Sequence, residues 1–383
     1  MKFSVDERYP ADRSVVLRYA PALLNGSLTT ESLLACSRQE GIRVLDLGSW
    51  RGVNLQLLDE SSLMASGTYK SLDGCLSTAL CREQGIGRAV FSSGANAGSA
   101  LSLYGAATDL ETFFFCPADN FNKLDGALFD RPTAHLVAVE GSDRRVKRAA
   151  SLMAERLGIP VIPAIEWRML SAGCRGLFLA EQILRRRQPL DWLVQSVCAG
   201  YGPLGIYEAF AGLVTSGSLA PAKAPKLLAV QQGGLCPIVR AWEQQRDTLP
   251  PLTDTDWHEK PIEPALYNVY PDLTYPQLYR TLRQWGGDAL AVHQPEFDEY
   301  SPEFLARVER AGVKLTRVNG QIVERAGLLA GAGAFKAIAE GRIPEGSNVL
   351  CALTGGAGAP PAKPAVAEHR IGLHDDLGSW RAY

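Results

Sequence analysis

Clustered cysteine and histidine are missing from this 383-residue sequence. Its eight cysteines (Cys36, Cys75, Cys81, Cys116, Cys174, Cys198, Cys236 and Cys351) are dispersed, and no two form a CxxC pair. The five histidines, His135, His258, His293, His369 and His374, are scattered too, so the spacing offers no zinc site. Met1 to Arg8 is charged from the start and has no apolar signal core. In a chain of this size that argues against a disulfide framework, and buried free thiols in a reducing cytoplasm are expected. An excess of one charge is also missing. The 39 Lys and Arg nearly balance the 41 Asp and Glu, for a net charge of -2. Neither nucleic acid nor an acidic membrane is implied as a partner. No apolar run is long enough to span a bilayer, and no charge run, low-complexity tract or repeat stands out. What is present, 46% hydrophobic and 21% charged residues, is a globular composition with length for two domains.

Strand and helix patterns alternate along most of the chain. Expected strands are 43–47, 53–58, 89–92, 112–117, 135–139, 192–198, 226–230, 288–292 and 348–353. Helical spacing covers 72–84, 99–107, 143–157, 173–186, 236–245, 275–285, 302–311 and 324–340. Residues 246–272, rich in Pro, Asp and Thr, read as a long loop, and the last 25 or so as a tail that wraps or frays. Apolar strands alternating with helices indicate an α/β fold with mostly parallel sheets, whose ligands bind beyond the carboxyl ends of the strands.

Four loops lie at such positions. Asp59 to Gly74 is polar and rich in Gly and Ser, and it places Lys70 at a helix start. The helix dipole disfavours a cation there. Lys70 is therefore either a solvated surface lysine or an amine of lowered pKa available as a nucleophile. Gly200-Tyr201-Gly202-Pro203-Leu204-Gly205, between a strand and a helix, can cradle a phosphate on backbone N–H groups. It also spells GxGxxG, but the dinucleotide reading needs an acid at the end of the next strand, which here closes on Gln231-Gln232. Ser93 to Gly98 allows close backbone approach to a carboxylate, with Asn96 as a donor, or is an ordinary cap. Thr354 ends the last strong strand, where a hydroxyl can meet a ring nitrogen or satisfy a turn. Together these parts suit pyridoxal phosphate.

The segments Asp59-Glu60-Ser61 to Thr68-Tyr69-Lys70, Ser93 to Gly98, Val230 to Ala241, Glu324-Arg325-Ala326-Gly327 and Leu353-Thr354-Gly355 resemble, in collinear order, those of threonine synthases and related fold-type-II pyridoxal-phosphate enzymes. The resemblance implies Lys70 as the Schiff-base lysine and proton shuttle. It implies cofactor contacts from Asn96, Gly200, Tyr201, Gly202, Pro203, Leu204 and Thr354, and substrate contacts from Ser93, Gly94, Ala95, Ala97 and Thr68. It further implies a two-domain fold, with residues 1–72 and 188–383 in a large cofactor-binding domain and 73–187 in a small inserted one, and a homodimer. The implied activity is β- or γ-elimination or replacement on an amino acid with a leaving group, O-phosphohomoserine to threonine being the reference reaction. Cysteate or cysteine synthase-like β-replacement and threonine or serine dehydratase-like deamination are alternatives. A non-catalytic relative and a dinucleotide oxidoreductase are readings from other classes. Three departures mark a changed substrate: Ser71-Leu72 replace the family's Asp-Arg, Ala97 replaces a threonine, and Ala359 stands where a lysine is usual.

Overall fold

A computed structural model describes residues 3–24, 28–185, 189–234, 236–251, 261–266, 268, 271–378 and 380. The strands, in chain order, are β1 (Arg43–Trp50), β2 (Val53–Asp59), β3 (Arg88–Ser92), β4 (Glu111–Pro117), β5 (Ala134–Val139), β6 (Trp192–Ser196), β7 (Lys226–Gln232), β8 (Asp288–Val292), β9 (Arg317–Val318), β10 (Gln321–Ile322), β11 (Asn348–Leu353) and β12 (His369–Ile371). Six of them form one sheet in the order β1-β2-β11-β6-β7-β8. Only the edge pair β1–β2 is antiparallel; the other pairings are parallel. A second, all-parallel sheet runs β12-β5-β4-β3, and β9–β10 is a small ribbon.

The central strands are continuous apolar runs because both faces of the larger sheet are covered. One face, carrying Leu193, Leu227, Ala229, Leu350 and Ala352, packs on the helices Lys70–Glu83, Ile165–Arg185, Tyr201–Thr215 and Tyr275–Trp285. The other, carrying Leu55, Val194, Leu228, Val230 and Cys351, packs on Gln294–Arg310 and Ala326–Ala339. The smaller sheet presents Phe91 and Phe114 to one core, and Val90, Phe113 and Phe115 to the Asp143–Leu157 helix on its other face. None of the eight cysteines is in a disulfide among the described residues; seven are buried and Cys198 partly so. Among the described residues no helix is long and apolar enough to cross a membrane, and no group of His, Cys, Asp and Glu is disposed to hold a metal.

Several boundaries differ from the expected ones. The helix anticipated from residue 173 begins at Ile165, so one more pair of turns, including Arg168 and Ser171, is helical. Three short helices, Val15–Arg18, Ala20–Leu23 and Thr30–Cys36, precede β1 where only a few short elements were anticipated. The helix expected at 302–311 starts at Gln294, with Pro295 in its first turn, where the missing N–H costs nothing. Part of the long loop, residues 252–260, lies outside the described residues. The tail wraps: His369–Ile371 adds a parallel strand beside β5, so this stretch of the segment assigned to the large domain joins the smaller sheet.

Candidate active site

Three of the four loops follow neighbouring strands of the larger sheet. Asp59 at the end of β2 pairs in register with Leu353 at the end of β11, and Cys351 of β11 with Val194 of β6. The chain leaves β2 toward Lys70, β11 toward Thr354, and β6 toward Gly200. The backbones of the first two loops are tied together. Tyr69 N–H donates to the Thr354 carbonyl at 2.9 Å, Thr68 bridges Gly355, and Ser61 Oγ, donating to Gly67, also accepts Ala357 N–H at 2.8 Å. Thr68 Oγ1 accepts the N–H of Lys70 at 3.2 Å and so fixes the first turn of its helix.

Lys70 opens the Lys70–Glu83 helix, as the sequence indicates. The anticipated lowering of its pKa is not what the structure gives. Burial does push the ammonium toward the neutral amine, but the Asp73 carboxylate, with Tyr69, more than offsets this, and the amine is held above its ordinary value. Lys70 Nζ donates to Asp73 Oδ2 at 2.7 Å. Sequence reading missed this partner, although its signal was present: an acid three residues after a helical lysine shares its face.

Gly200, in the left-handed region at φ 86°, caps the Tyr201–Thr215 helix. Leu204 N–H is taken by the Gly200 carbonyl at 3.1 Å, and Pro203 has none. Of the five residues named for the cradle, Pro203 and Leu204 therefore offer no open N–H, while those of Gly200, Tyr201 and Gly202 meet no acceptor among the described residues. Beneath Gly202 lies Arg175, fully buried in the middle of the Ile165–Arg185 helix. Its Nε and Nη2 donate to Glu60 at 2.6 and 2.5 Å, and Nη2 also to Gln195 at 2.9 Å. Its Nη1 has no hydrogen-bond partner among the described residues. A Cβ on Gly202 would sit 2.8 Å from that nitrogen and 2.6 Å from the Gln195 amide, so only glycine leaves room there. Open N–H groups at a helix start, with a buried guanidinium donor left over, are a donor set that fits a phosphate ester. Arg175 was also overlooked in the sequence; a lone arginine between Cys174 and Gly176 in an apolar helical run is its trace.

The fourth loop comes from the other sheet. Ser93 to Ala95 follows β3, and the Asn96–Gly105 helix begins directly after it. The N–H groups of Asn96, Ala97 and Gly98 have no acceptor among the described residues, while Ser93 Oγ accepts from Ala95 N–H at 3.2 Å. Buried Asn120 donates to the Gly94 carbonyl at 2.6 Å and holds the loop. Asn96 Nδ2 reaches across to Glu324 Oε2 at 2.8 Å. Burial, and then the charge of Glu263, push the Glu324 carboxyl up to about 7, against the pull of Asn96 and Lys123. Glu324 packs against Gly355, beside Thr354. The hydroxyl of Thr354 has no partner among the described residues. The four loops thus meet across the facing ends of the two sheets.

A family model described as pyridoxal-phosphate dependent enzyme matches residues 42–355. The cysteate synthase of Methanospirillum hungatei JF-1 is 24% identical over 368 residues, 90% of this chain and 82% of that protein. Among solved structures, holo diaminopropionate ammonia lyase from Escherichia coli aligns with a TM-score of 0.62 at 14% identity, covering 93% of this chain and 95% of the other. Threonine synthase from Escherichia coli aligns with a TM-score of 0.60 at 13% identity, covering 94% and 80%.

Proposed function

This chain belongs to the pyridoxal-phosphate-dependent enzymes of fold type II, and from that premise we propose that it catalyses elimination or replacement at the side-chain carbon of an amino acid bearing a leaving group. Pyridoxal phosphate, when bound, supplies the electron sink that lets a proton leave the α-carbon. Lys70 is the amine that holds the cofactor aldehyde and exchanges the α-proton at Nζ. Tyr201 and Gly202, with Gly200 shaping the turn, would hold the phosphate through their N–H groups, and Arg175 Nη1 would add charge from below; Pro203 and Leu204 would line the cradle. Asn96 and Thr354 would hold the ring, by its oxygen and its nitrogen respectively. The substrate carboxylate lies on the N–H groups of Asn96 and Ala97, inside the loop of Ser93, Gly94 and Ala95, with Thr68 opposite.

The observation that carries the reaction class is Thr354. A neutral hydroxyl follows β11 at this position, and beside a neutral partner the ring nitrogen would stay largely unprotonated, which favours elimination and replacement. The relatives named cysteate synthase, matched along 90% of the chain in one case, favour β-replacement over the O-phosphohomoserine reaction. Threonine or serine deamination uses the same first steps and is the second reading. A homodimer in the cytoplasm completes the proposal, and light scattering checks the stoichiometry.

The test is a spectral screen of the cofactor-loaded protein against O-phosphoserine, O-acetylserine, serine, threonine and O-phosphohomoserine, each with and without sulfite. A new absorbance with a β-substituted serine, and cysteate formed when sulfite is present, is the expected result. Response to O-phosphohomoserine alone would return the reading to threonine formation. Lys70→Ala is expected to abolish the visible band of the bound cofactor; a band that survives removes Lys70 from its place.

A further inference from the structure

A proton held on Lys70 has a built partner. Asp73 lies one turn along the same helix, buried, with Oδ2 at 2.7 Å from Lys70 Nζ. Its other oxygen accepts the hydroxyl of Ser171, which comes from the Ile165–Arg185 helix. The carboxylate is therefore fixed from two elements and cannot swing freely to water. The family's Asp-Arg pair after the lysine is absent here, and Asp73 brings a carboxylate back two residues later, on the face of the helix that Lys70 occupies.

We propose that Asp73, oriented by Ser171, is the counter-ion that strengthens Lys70 as a base toward the substrate α-carbon and stabilises the ammonium that Lys70 becomes on taking the proton. The inference rests on the assignment of Lys70 to the cofactor. In the transfer the substrate C–H bond breaks and an N–H bond forms at Lys70 Nζ. The electron pair stays on carbon, where the bound cofactor withdraws it, and Asp73 Oδ2 balances the new positive charge. The groups that face Lys70 are Asp73 and Tyr69 from its own segment, Arg168 from the Ile165–Arg185 helix and Cys198 after β6. Asp73 in turn faces Ser171, Cys174 and Arg175. Burial and Arg168 oppose the ammonium. Asp73 is the largest of the groups that favour it and the one hydrogen-bonded to Nζ.

That balance gives two effects of opposite sign. The neutral amine captures pyridoxal phosphate, so the pH midpoint of the capture rate, followed by visible absorbance, reports the Lys70 ammonium. In Asp73→Asn the midpoint is expected to fall by about one pH unit or more, which makes capture at neutral pH faster. Exchange of the substrate α-proton with deuterated solvent, measured with whichever amino acid shifts the cofactor spectrum, is expected to slow about tenfold or more. A merely loosened site would slow both. Ser171→Ala, which frees the carboxylate without removing it, is expected to move the midpoint the same way by less, and it carries the test if Asp73→Asn does not fold. Midpoints unmoved in the folded variants, or capture and exchange slowed together, overturn the proposal. A wild-type chain that captures no pyridoxal phosphate overturns instead the assignment of Lys70, and this inference with it.

Discussion

Glu324 shows how much one residue depends on its surroundings. Its carboxyl is buried beside Gly355 and near Glu263, and is pushed from 4.5 up to about 7. Between those two values the folded chain holds a proton that the unfolded chain has released. Its contribution is fully present below about 4.5 and is lost as the pH rises through about 7. Glu324→Gln keeps an acceptor for Asn96 and removes the charge. Urea unfolding at about pH 5 and about pH 8 is expected to show that the variant lacks this slope and gains, at the higher pH, on the order of 3 kcal/mol relative to wild type. Arg175 makes the converse case. Arg175→Met leaves Glu60 charged, buried and unpaired, which is expected to cost about 3–5 kcal/mol in urea titrations. A double variant with Glu60→Gln is expected to recover part of that stability. It should still bind pyridoxal phosphate less well while binding unphosphorylated pyridoxal as wild type does, because what is missing is the donor beneath the phosphate. Lys70 and Thr354 were legible in the sequence because loop chemistry and strand ends mark them. Glu60 and Arg175 find each other only through the fold, whereas Asp73 lies one helical turn from Lys70 and its signal was already in the sequence.

At the scale of elements, the Asn96–Gly105 helix is aimed by one close contact. Gly98 lies against the ring of Phe114 on β4, and a Cβ there would overlap the ring. This sets the helix start, with its open N–H groups, directly over the end of the smaller sheet. Gly98→Ala is expected to lift that turn, lower stability by about 1–3 kcal/mol and lower the Tm correspondingly. Its second consequence is a raised KM for the amino acid, with weaker change in cofactor affinity, since the cradle proposed for the phosphate stands on the other sheet. The helix was visible in the sequence as a run of small residues, yet its start was placed at Ser99 instead of Asn96. Small residues carry little periodic signal, and the contact that fixes the start lies on a different strand. The Ile165–Arg185 helix was cut short for a related reason: Trp167, Arg168 and Met169 are only half covered, so its first turns lack a clean apolar stripe.

In the molecule as a whole, two side-chain contacts of the described residues join the loops of the smaller sheet to those of the larger, beside the Tyr104–Glu40 hydrogen bond and the packing of the Lys70–Glu83 helix on the Asn96–Gly105 helix. One is Asn96 to Glu324. The other is the ion pair of Lys123, which follows β4, with Glu263. Glu263 is itself held by the N–H groups of Ala265 at 2.8 Å and Arg325 at 2.7 Å. Both partners of the ion pair are largely buried, so removing the cation strands a charge. Lys123→Met is expected to cost about 3–5 kcal/mol in urea unfolding and to raise the Glu324 carboxyl further, because Lys123 now pulls it down. A variant that unfolds at the wild-type urea concentration would show that the pair contributes nothing to holding the sheets together.

The sequence by itself determined the alternation of apolar strands with helices, the glycine-rich turns at strand ends and the lysine at a helix start. These are local: each is written in residues that touch their own chain neighbours. Only the tertiary structure decided that β2, β11 and β6 lie side by side, and hence that loops nearly 300 residues apart open onto one place. It also decided the balance at Lys70, where burial is set against the Asp73 carboxylate and the amine is held above its ordinary value, against the reading of a lowered pKa. Strand order and burial are sums over distant contacts, and electrostatic balance at a buried amine depends on every group those contacts bring near.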